Sequence, residues 1–217
     1  MKNILILGGT GQLGKKLIPF CLERNYFVTT LVRNPKKITL IHQNLKILQG
    51  SVTHTEDLSK ALAGIDVVVS VLGHGLRTSY PIQEKTMLAL IPIMEKKKIA
   101  RILSVTGAGL KIEGDPRSFL ADITEKLFTL IDPYRMKDAK NQQLLLEHSN
   151  LDWTVVRTPI HRNEDVVNVV HVGFTQPMPW QAISRKTICD FVIQCIESST
   201  FIKKAPIVFS IGAENST

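Results

Sequence analysis

The chain has 217 residues, of which 44% are hydrophobic and 21% charged, with 13 glycines and 10 prolines; that is enough for one domain with a full core, and it excludes a disordered or fibrous chain. Lysine and arginine exceed aspartate and glutamate by 27 to 19, a formal +8, which calls for an anionic ligand, nucleic acid or a membrane surface as partner. Cys21, Cys189 and Cys195 are the three cysteines, an odd number without zinc spacing, and they read as reduced core residues of a cytoplasmic protein rather than a disulfide frame or metal site.

The first element is a five-residue apolar strand, NILIL, over 3–7. One lysine and four apolar residues before the glycines are too few for a secretory signal, and no run approaches the roughly eighteen apolar residues of a membrane span. GGTGQLG follows and opens a helix over 12–24, with Pro19 inside it. The strand FVTTLV (27–32) leads to Arg33, Lys36 and Lys37, and LKIL (45–48) precedes a short helix over 56–62. DVVVSVL (66–72), a helix over 82–98 containing Pro92, and RILSV (101–105) come next. After an irregular stretch over 107–133 come a helix over 137–148 and the strand DWTVVR (152–157); after a second one over 160–179 come a helix over 184–197 and the strand PIVFSI (206–211). Each internal proline predicts a kink or an early helix end. Continuously apolar strands alternating with helices predict an α/β fold: a doubly wound, mostly parallel sheet with helices on both faces, as one domain over 1–217. The two irregular stretches follow strands, on the side where such sheets bind ligands, and are candidates for a lid or pocket wall.

A strand, then GGTGQLG, then a helix is the context in which a glycine pattern binds a dinucleotide. Gly8 permits the turn out of the strand, Gly11 lets backbone N–H groups approach a pyrophosphate, and Gly14 lets helix and strand pack closely. The helix terminus supplies the anion site at Gln12 and Leu13, and Thr10 adds a hydroxyl. At the tip of the second strand an NAD site would place an acid for the ribose 2′-hydroxyl. Arg33 stands there instead. A guanidinium favours a 2′-phosphate, so NADP (NADPH) is the preferred cofactor over NAD.

The ordered set ILILGGTGQLG, LVRNPKK, LQGSVTHTEDLSKALAGIDVVVSVLG, RILSVTGAG, SNLDWTVVRTP and ISRKTICDFVI resembles the atypical short-chain dehydrogenase/reductases, NAD(P)H-binding Rossmann proteins of the NAD-dependent epimerase/dehydratase kind. The chain looks most similar to the small flavin-reductase and biliverdin-reductase-B type. The resemblance implies that Ser51 and Val52 flank the adenine, with Ser51 in place of the usual acid. It implies further that Leu72, Gly73 and His74 border the nicotinamide ribose and diphosphate, and that Thr106 and the Pro159–Ile160 segment shape the acceptor pocket. His74 and Thr106 are the candidates for a catalytic role; metal ligands are not expected.

Conventional members of that superfamily use a Tyr-x-x-x-Lys pair, in which the lysine lowers the tyrosine pKa. Four residues after Tyr26, Tyr80 and Tyr134 stand Thr30, Glu84 and Asp138, and none is a lysine. Lys137 and Lys140 follow Tyr134 at three and six, and a slip of one residue turns a helical side chain by about 100°. Without a positioned acid, acceptors that spread the incoming charge, a flavin or a quinone, are favoured. The expected partner is therefore a small conjugated acceptor, with no nucleic acid and no membrane, and with the chain a monomer or homodimer. The alternative is a non-catalytic NADP-binding redox sensor or regulator.

Overall fold

A computed structural model describes residues 1–73, 80–112, 115–116, 126, 129–162, 169–178 and 181–211. The first strand, β1 (Asn3–Leu7), is followed by α1 (Gln12–Glu23), β2 (Phe27–Val32), β3 (Leu45–Gln49), α2 (Thr55–Ala61), β4 (Val67–Ser70) and α3 (Ile82–Lys96). Then come β5 (Arg101–Gly107), α4 (Pro133–Glu147), β6 (Asp152–Thr158), β7 (Ile160–Arg162), β8 (Val169–Gly173), β9 (Ala182–Ser184), α5 (Arg185–Ser198) and β10 (Ile207–Ile211). Eight strands form one sheet in the order β3-β2-β1-β4-β5-β6-β10-β8. Its ladders are parallel except for β8, which runs antiparallel to β10. The order reverses between β1 and β4, so the ligand crevice of such a sheet lies beyond the carboxyl ends of these two strands.

The alternation of β1 shows how the core divides. Ile4 and Ile6 pack with α1 and α5, whereas Leu5 and Leu7 pack with α2, α3 and α4. All four are fully buried, because helices cover both faces of a parallel sheet. Cys21, Cys189 and Cys195 lie unbridged in the first of these layers, where burial pushes the Cys21 and Cys189 thiols up to about 12.

Neither internal proline ends its helix: α1 continues four residues beyond Pro19, to Glu23, and α3 continues beyond Pro92 to Lys96. The carbonyls that lose their helical donor belong to Lys15 and Leu88, both exposed residues on the solvent side of their helices. Helix α4 begins at Pro133 rather than at 137. Asp132 caps it, its carboxylate accepting the Arg135 N–H at 3.0 Å, with Pro133 at the first helical position.

The stretch over 160–179 holds two strands. β7 pairs in parallel with β9 in a separate two-stranded sheet, and β8 forms the edge of the main sheet beside β10. Three- and five-residue strands are too short for a clear hydrophobic period. Among the described residues, no helix is long and apolar enough to cross a membrane.

Candidate dinucleotide site

The turn after β1 is built from glycine geometry. Gly8 has φ +92°, and a Cβ there would lie 2.8 Å from the Val71 carbonyl oxygen at the end of β4. The Gly11 N–H donates to the Gly8 carbonyl at 2.9 Å, closing the turn, and the Lys15 N–H donates to the Gly11 carbonyl at 2.9 Å as the first bond of α1. Gly11 is thus the N-cap, without a side chain to cap with, and the N–H groups of Gln12, Leu13 and Gly14 precede the first intrahelical bond. A Cβ at Gly14 would meet the Gly8 carbonyl and lie 2.7 Å from Gly9 Cα, whereas at Gly11 the nearest atom is the Gly8 oxygen at 3.2 Å. Helix and loop touch at Gly14, while exposed Gly11 leaves the helix mouth open. Half-buried Thr10 completes the turn. A bare, open helix head of this kind fits a diphosphate.

Arg33 follows β2 directly, is exposed, and has no ion-pair partner among the described residues. Asn34 accepts the Lys36 N–H at 3.1 Å and caps the turn Pro35–Lys37, which fixes the chain just beyond Arg33 and leaves Lys36 and Lys37 in solvent. Three cations therefore gather at one strand tip. Beyond β3, the Ser51 N–H donates to Asp57 Oδ2 at 2.9 Å and its hydroxyl lies 3.0 Å from Thr53 Oγ1. Half-buried Val52 packs against the layer under α2. The acid missing at position 51 has a neighbour in Asp57, but that carboxylate holds the loop itself and lies 3.6 Å from His54 Nδ1.

At the ends of β4, β5 and β6 the Leu72 carbonyl accepts Gln83 Nε2 at 2.8 Å, and exposed Gly73 has open space where a Cβ would stand. Thr106 is buried at the end of β5. Its carbonyl accepts the Thr158 hydroxyl at 3.3 Å, and Thr158 Oγ1 lies 2.7 Å from His161 Nε2. Half-buried Pro159 turns the chain between these two residues. Burial first, and then the Arg185 cation, push the His161 pKa down to about 4, so its imidazole is neutral near pH 7. Arg185, the first residue of α5, donates from Nη2 to Gln12 Oε1. The remaining candidate, His74, lies outside the described residues.

His161 and Arg185 are absent from the residues that the sequence singles out. One signal for Arg185 was present: cations in a first turn oppose the helix dipole, and α5 opens with Arg185 and Lys186. His161 carried none, because only the β7–β9 pairing, with Arg162 opposite Ser184, brings it to Arg185.

Arg157 on β6 is 0% exposed. It donates to Asp115 Oδ1 at 2.7 Å, to the Leu110 carbonyl at 2.8 Å and, through Nε, to the Ala205 carbonyl at 2.8 Å. A paired guanidinium inside the fold ties the segment after β5 to β6. Asp138, the residue four after Tyr134, is 1% exposed, and it accepts the N–H groups of Gln83 and Glu84 at the head of α3.

Residues 8–199 match the NAD(P)H-binding family. Photosystem II assembly factor Ycf39 of Synechocystis is 23% identical over 96% of this chain and 63% of its own; the chain spans about half the length of the curated relatives it matches first, 44% and 63% of two Ycf39 proteins. A short-chain dehydrogenase/reductase from Veillonella parvula, solved in complex with NADP, superposes with a TM-score of 0.76 at 20% identity, covering 99% of this chain and 96% of that one. ChuY, an anaerobilin reductase from Escherichia coli O157:H7, gives 0.78 at 13% identity with 99% of both chains covered. Strand order, glycine turn and sequence match agree: the chain belongs to the NAD(P)H-binding family of Rossmann proteins.

Proposed function

We propose that the chain is an NADPH-dependent oxidoreductase whose acceptor is a conjugated molecule of the flavin or quinone kind. The observation that carries this reading is the use made of Asp138. Where a Tyr-x-x-x-Lys pair would put its lysine, this chain has a buried carboxylate that caps α3. Tyr134 is 62% exposed, and Lys137 and Lys140 point to solvent. A carbonyl acceptor needs an acid placed at its forming alkoxide, whereas a quinone or flavin delocalises the added charge and takes a proton from water.

The residues that would hold the cofactor are the N–H groups of Gln12, Leu13 and Gly14 at the diphosphate, Arg33 at the 2′-phosphate, Ser51 and Val52 at the adenine, and Leu72 and Gly73 on the nicotinamide side. Bound NADPH supplies a hydride. The chain's own contribution is position: Thr106, Pro159 and His161 form the floor on which a flat acceptor stacks, and rate comes from alignment. His161, neutral and beside Thr158, offers a hydrogen bond to the acceptor rather than a charge. The +8 charge and the reduced thiols suit a cytoplasmic protein with an anionic cofactor.

The same use of Asp138 supports a second reading, a cofactor-binding regulator without turnover, and the relatives named as assembly factors favour it. Steady-state loss of NADPH absorbance with FMN, menadione and a simple aldehyde separates the two. Turnover with the first two acceptors and none with the aldehyde is the expected result. Tight NADPH binding with no turnover of any acceptor gives the regulator, and preference for the aldehyde overturns the proposal.

A further inference from the structure

We propose that Gln83 is a positioning residue of the dinucleotide site: its side chain fixes the Leu72–Gly73 peptide so that the Gly73 N–H faces the crevice, as a donor to an oxygen on the nicotinamide half of the cofactor. The inference rests on the dinucleotide reading above and concerns a residue of α3, outside the glycine turn. The first observation is the peptide itself. Gln83 Nε2 donates to the Leu72 carbonyl at 2.8 Å, from a residue that is 5% exposed. The Leu72–Gly73 peptide is trans, and in a trans peptide the C=O and the following N–H point in opposite directions. A Leu72 carbonyl turned inward to Gln83 therefore turns the Gly73 N–H outward. Gly73 is exposed, has open space where a Cβ would stand, and its N–H has no acceptor among the described residues.

The second observation is place. Leu72 and Gly73 follow the carboxyl end of β4, at the crevice where the strand order reverses. The residues just before them are held against the glycine turn. The Val71 N–H donates to the Leu7 carbonyl at 2.9 Å, and a Cβ at Gly8 would lie 2.8 Å from the Val71 oxygen and 3.1 Å from the Leu72 nitrogen. An outward N–H directly after this contact is within reach of a dinucleotide laid across the switch point, on the side away from the adenine.

The third observation is what the glutamine costs. Its main-chain N–H donates to Asp138 Oδ2 and its Nε2 to Leu72, yet its Oε1 is buried with no hydrogen-bond partner. A buried acceptor without a donor lowers stability, and a methionine would fill similar space without one. Gln83 thus adds little to the fold on balance; its contribution is the direction it gives the Leu72–Gly73 peptide.

The test is calorimetric titration of the wild type, Gln83→Met, Gln83→Glu, Gly73→Pro and the double variant Gln83→Met/Gly73→Pro with NADPH and with adenosine 2′,5′-bisphosphate. Methionine keeps the length and an ionised glutamate keeps the shape, but neither can donate to the Leu72 carbonyl. Gln83→Met is expected to weaken NADPH about three- to ten-fold, the size of one hydrogen bond, and Gln83→Glu at least as much. Adenosine 2′,5′-bisphosphate has no nicotinamide half, so its affinity should stay unchanged, and in the same samples it reports that the adenine side is folded. Gly73→Pro removes the N–H itself and should show a similar loss, to which Gln83→Met adds nothing in the double variant. The melting temperature of Gln83→Met should stay within a few degrees of the wild type, because the lost bond is offset by removal of the unpartnered oxygen. Unchanged NADPH affinity in Gln83→Met overturns the proposal, as does an equal loss for the bisphosphate or a double variant in which the two losses add. Should Gly73→Pro not fold, the two ligands on Gln83→Met and Gln83→Glu decide alone. A wild type that binds neither NADPH nor the bisphosphate removes the dinucleotide reading itself, an outcome distinct from the others.

Discussion

The Asp138 carboxylate accepts the main-chain N–H of Gln83 at 2.9 Å, joining α4 to the head of α3. It also accepts the Glu84 N–H at 2.8 Å, while the Gln83 side chain reaches on to the Leu72 carbonyl. A chain of bonds thus runs from α4 through α3 to the loop after β4. Residue 138 serves the architecture of the site.

Asp138→Ala therefore removes an N-cap and leaves two inward-facing N–H groups without their acceptor. A loss of about 2–3 kcal/mol in unfolding free energy is expected, read from urea denaturation. Asp138→Asn keeps an acceptor oxygen and should lose roughly half as much. Equal stability of the wild type and the alanine variant would show that the cap carries no weight.

Two glycines of one turn should respond in opposite ways. Gly14→Ala drives a Cβ into the backbone at Gly8 and Gly9, so the fold itself should lose about 2–3 kcal/mol. Gly11 has an ordinary extended conformation, φ −75° and ψ 169°, and a Cβ there would meet one atom, the Gly8 carbonyl oxygen at 3.2 Å, a contact that a shift of a few tenths of an ångström relieves. Gly11→Leu should keep the melting temperature within a few degrees and abolish NADPH binding by filling the mouth of α1. Retained NADPH affinity in Gly11→Leu would reject the phosphate-loop assignment.

What could be read from the chain before its structure was local. GGTGQLG states its turn and its helix within seven residues. The runs in β1, β4, β5 and β6 are apolar throughout, and so declare burial on both faces and with it the doubly wound sheet. Asp132–Pro133 was an equally local signal, a cap followed by a proline at the first helical position, and it places the start of α4 four residues before 137. The Gln12, His161 and Arg185 cluster was not legible, because its members come from three distant segments: the β7–β9 pairing brings His161 to Arg185, and a side-chain bond brings Arg185 to Gln12. Strands of three residues leave no period, and a neutral histidine has no sequence signature.

His161 sets a pH limit on stability. An unfolded histidine titrates near 6.5, and in the fold burial and Arg185 bring the His161 pKa to about 4. Between those values the unfolded chain binds more protons, so this contribution is fully present above about pH 6.5 and is lost as pH falls toward 4. A pKa change of that size corresponds to about 3 kcal/mol. Carboxylates titrate in part of the same range, and the useful quantity is therefore the difference between the wild type and His161→Gln. Glutamine stays neutral and can still bond Thr158, so the variant's stability should fall less between pH 6.5 and 4. Parallel curves would assign the acid sensitivity to other groups.

Arg33 converts a strand tip into a measurable preference. The residue is exposed, has no ion-pair partner among the described residues, and is followed by a turn that Asn34 caps. In the proposed function its guanidinium meets the ribose 2′-phosphate. Arg33→Ala should weaken NADPH by about 1.5–3 kcal/mol, a ten- to hundred-fold loss of affinity. NADH lacks the phosphate, and its affinity should change by less than about two-fold. Salt separates the two as well: NADPH binding should weaken more steeply between low and physiological ionic strength, because an exposed ion pair is screened, and the extra slope should vanish in Arg33→Ala. Lys36 and Lys37 add to the field at longer range, so their alanine variants should lower the salt slope without matching the loss at Arg33. Equal weakening of both cofactors in Arg33→Ala would place the guanidinium at the adenine and withdraw the NADP preference.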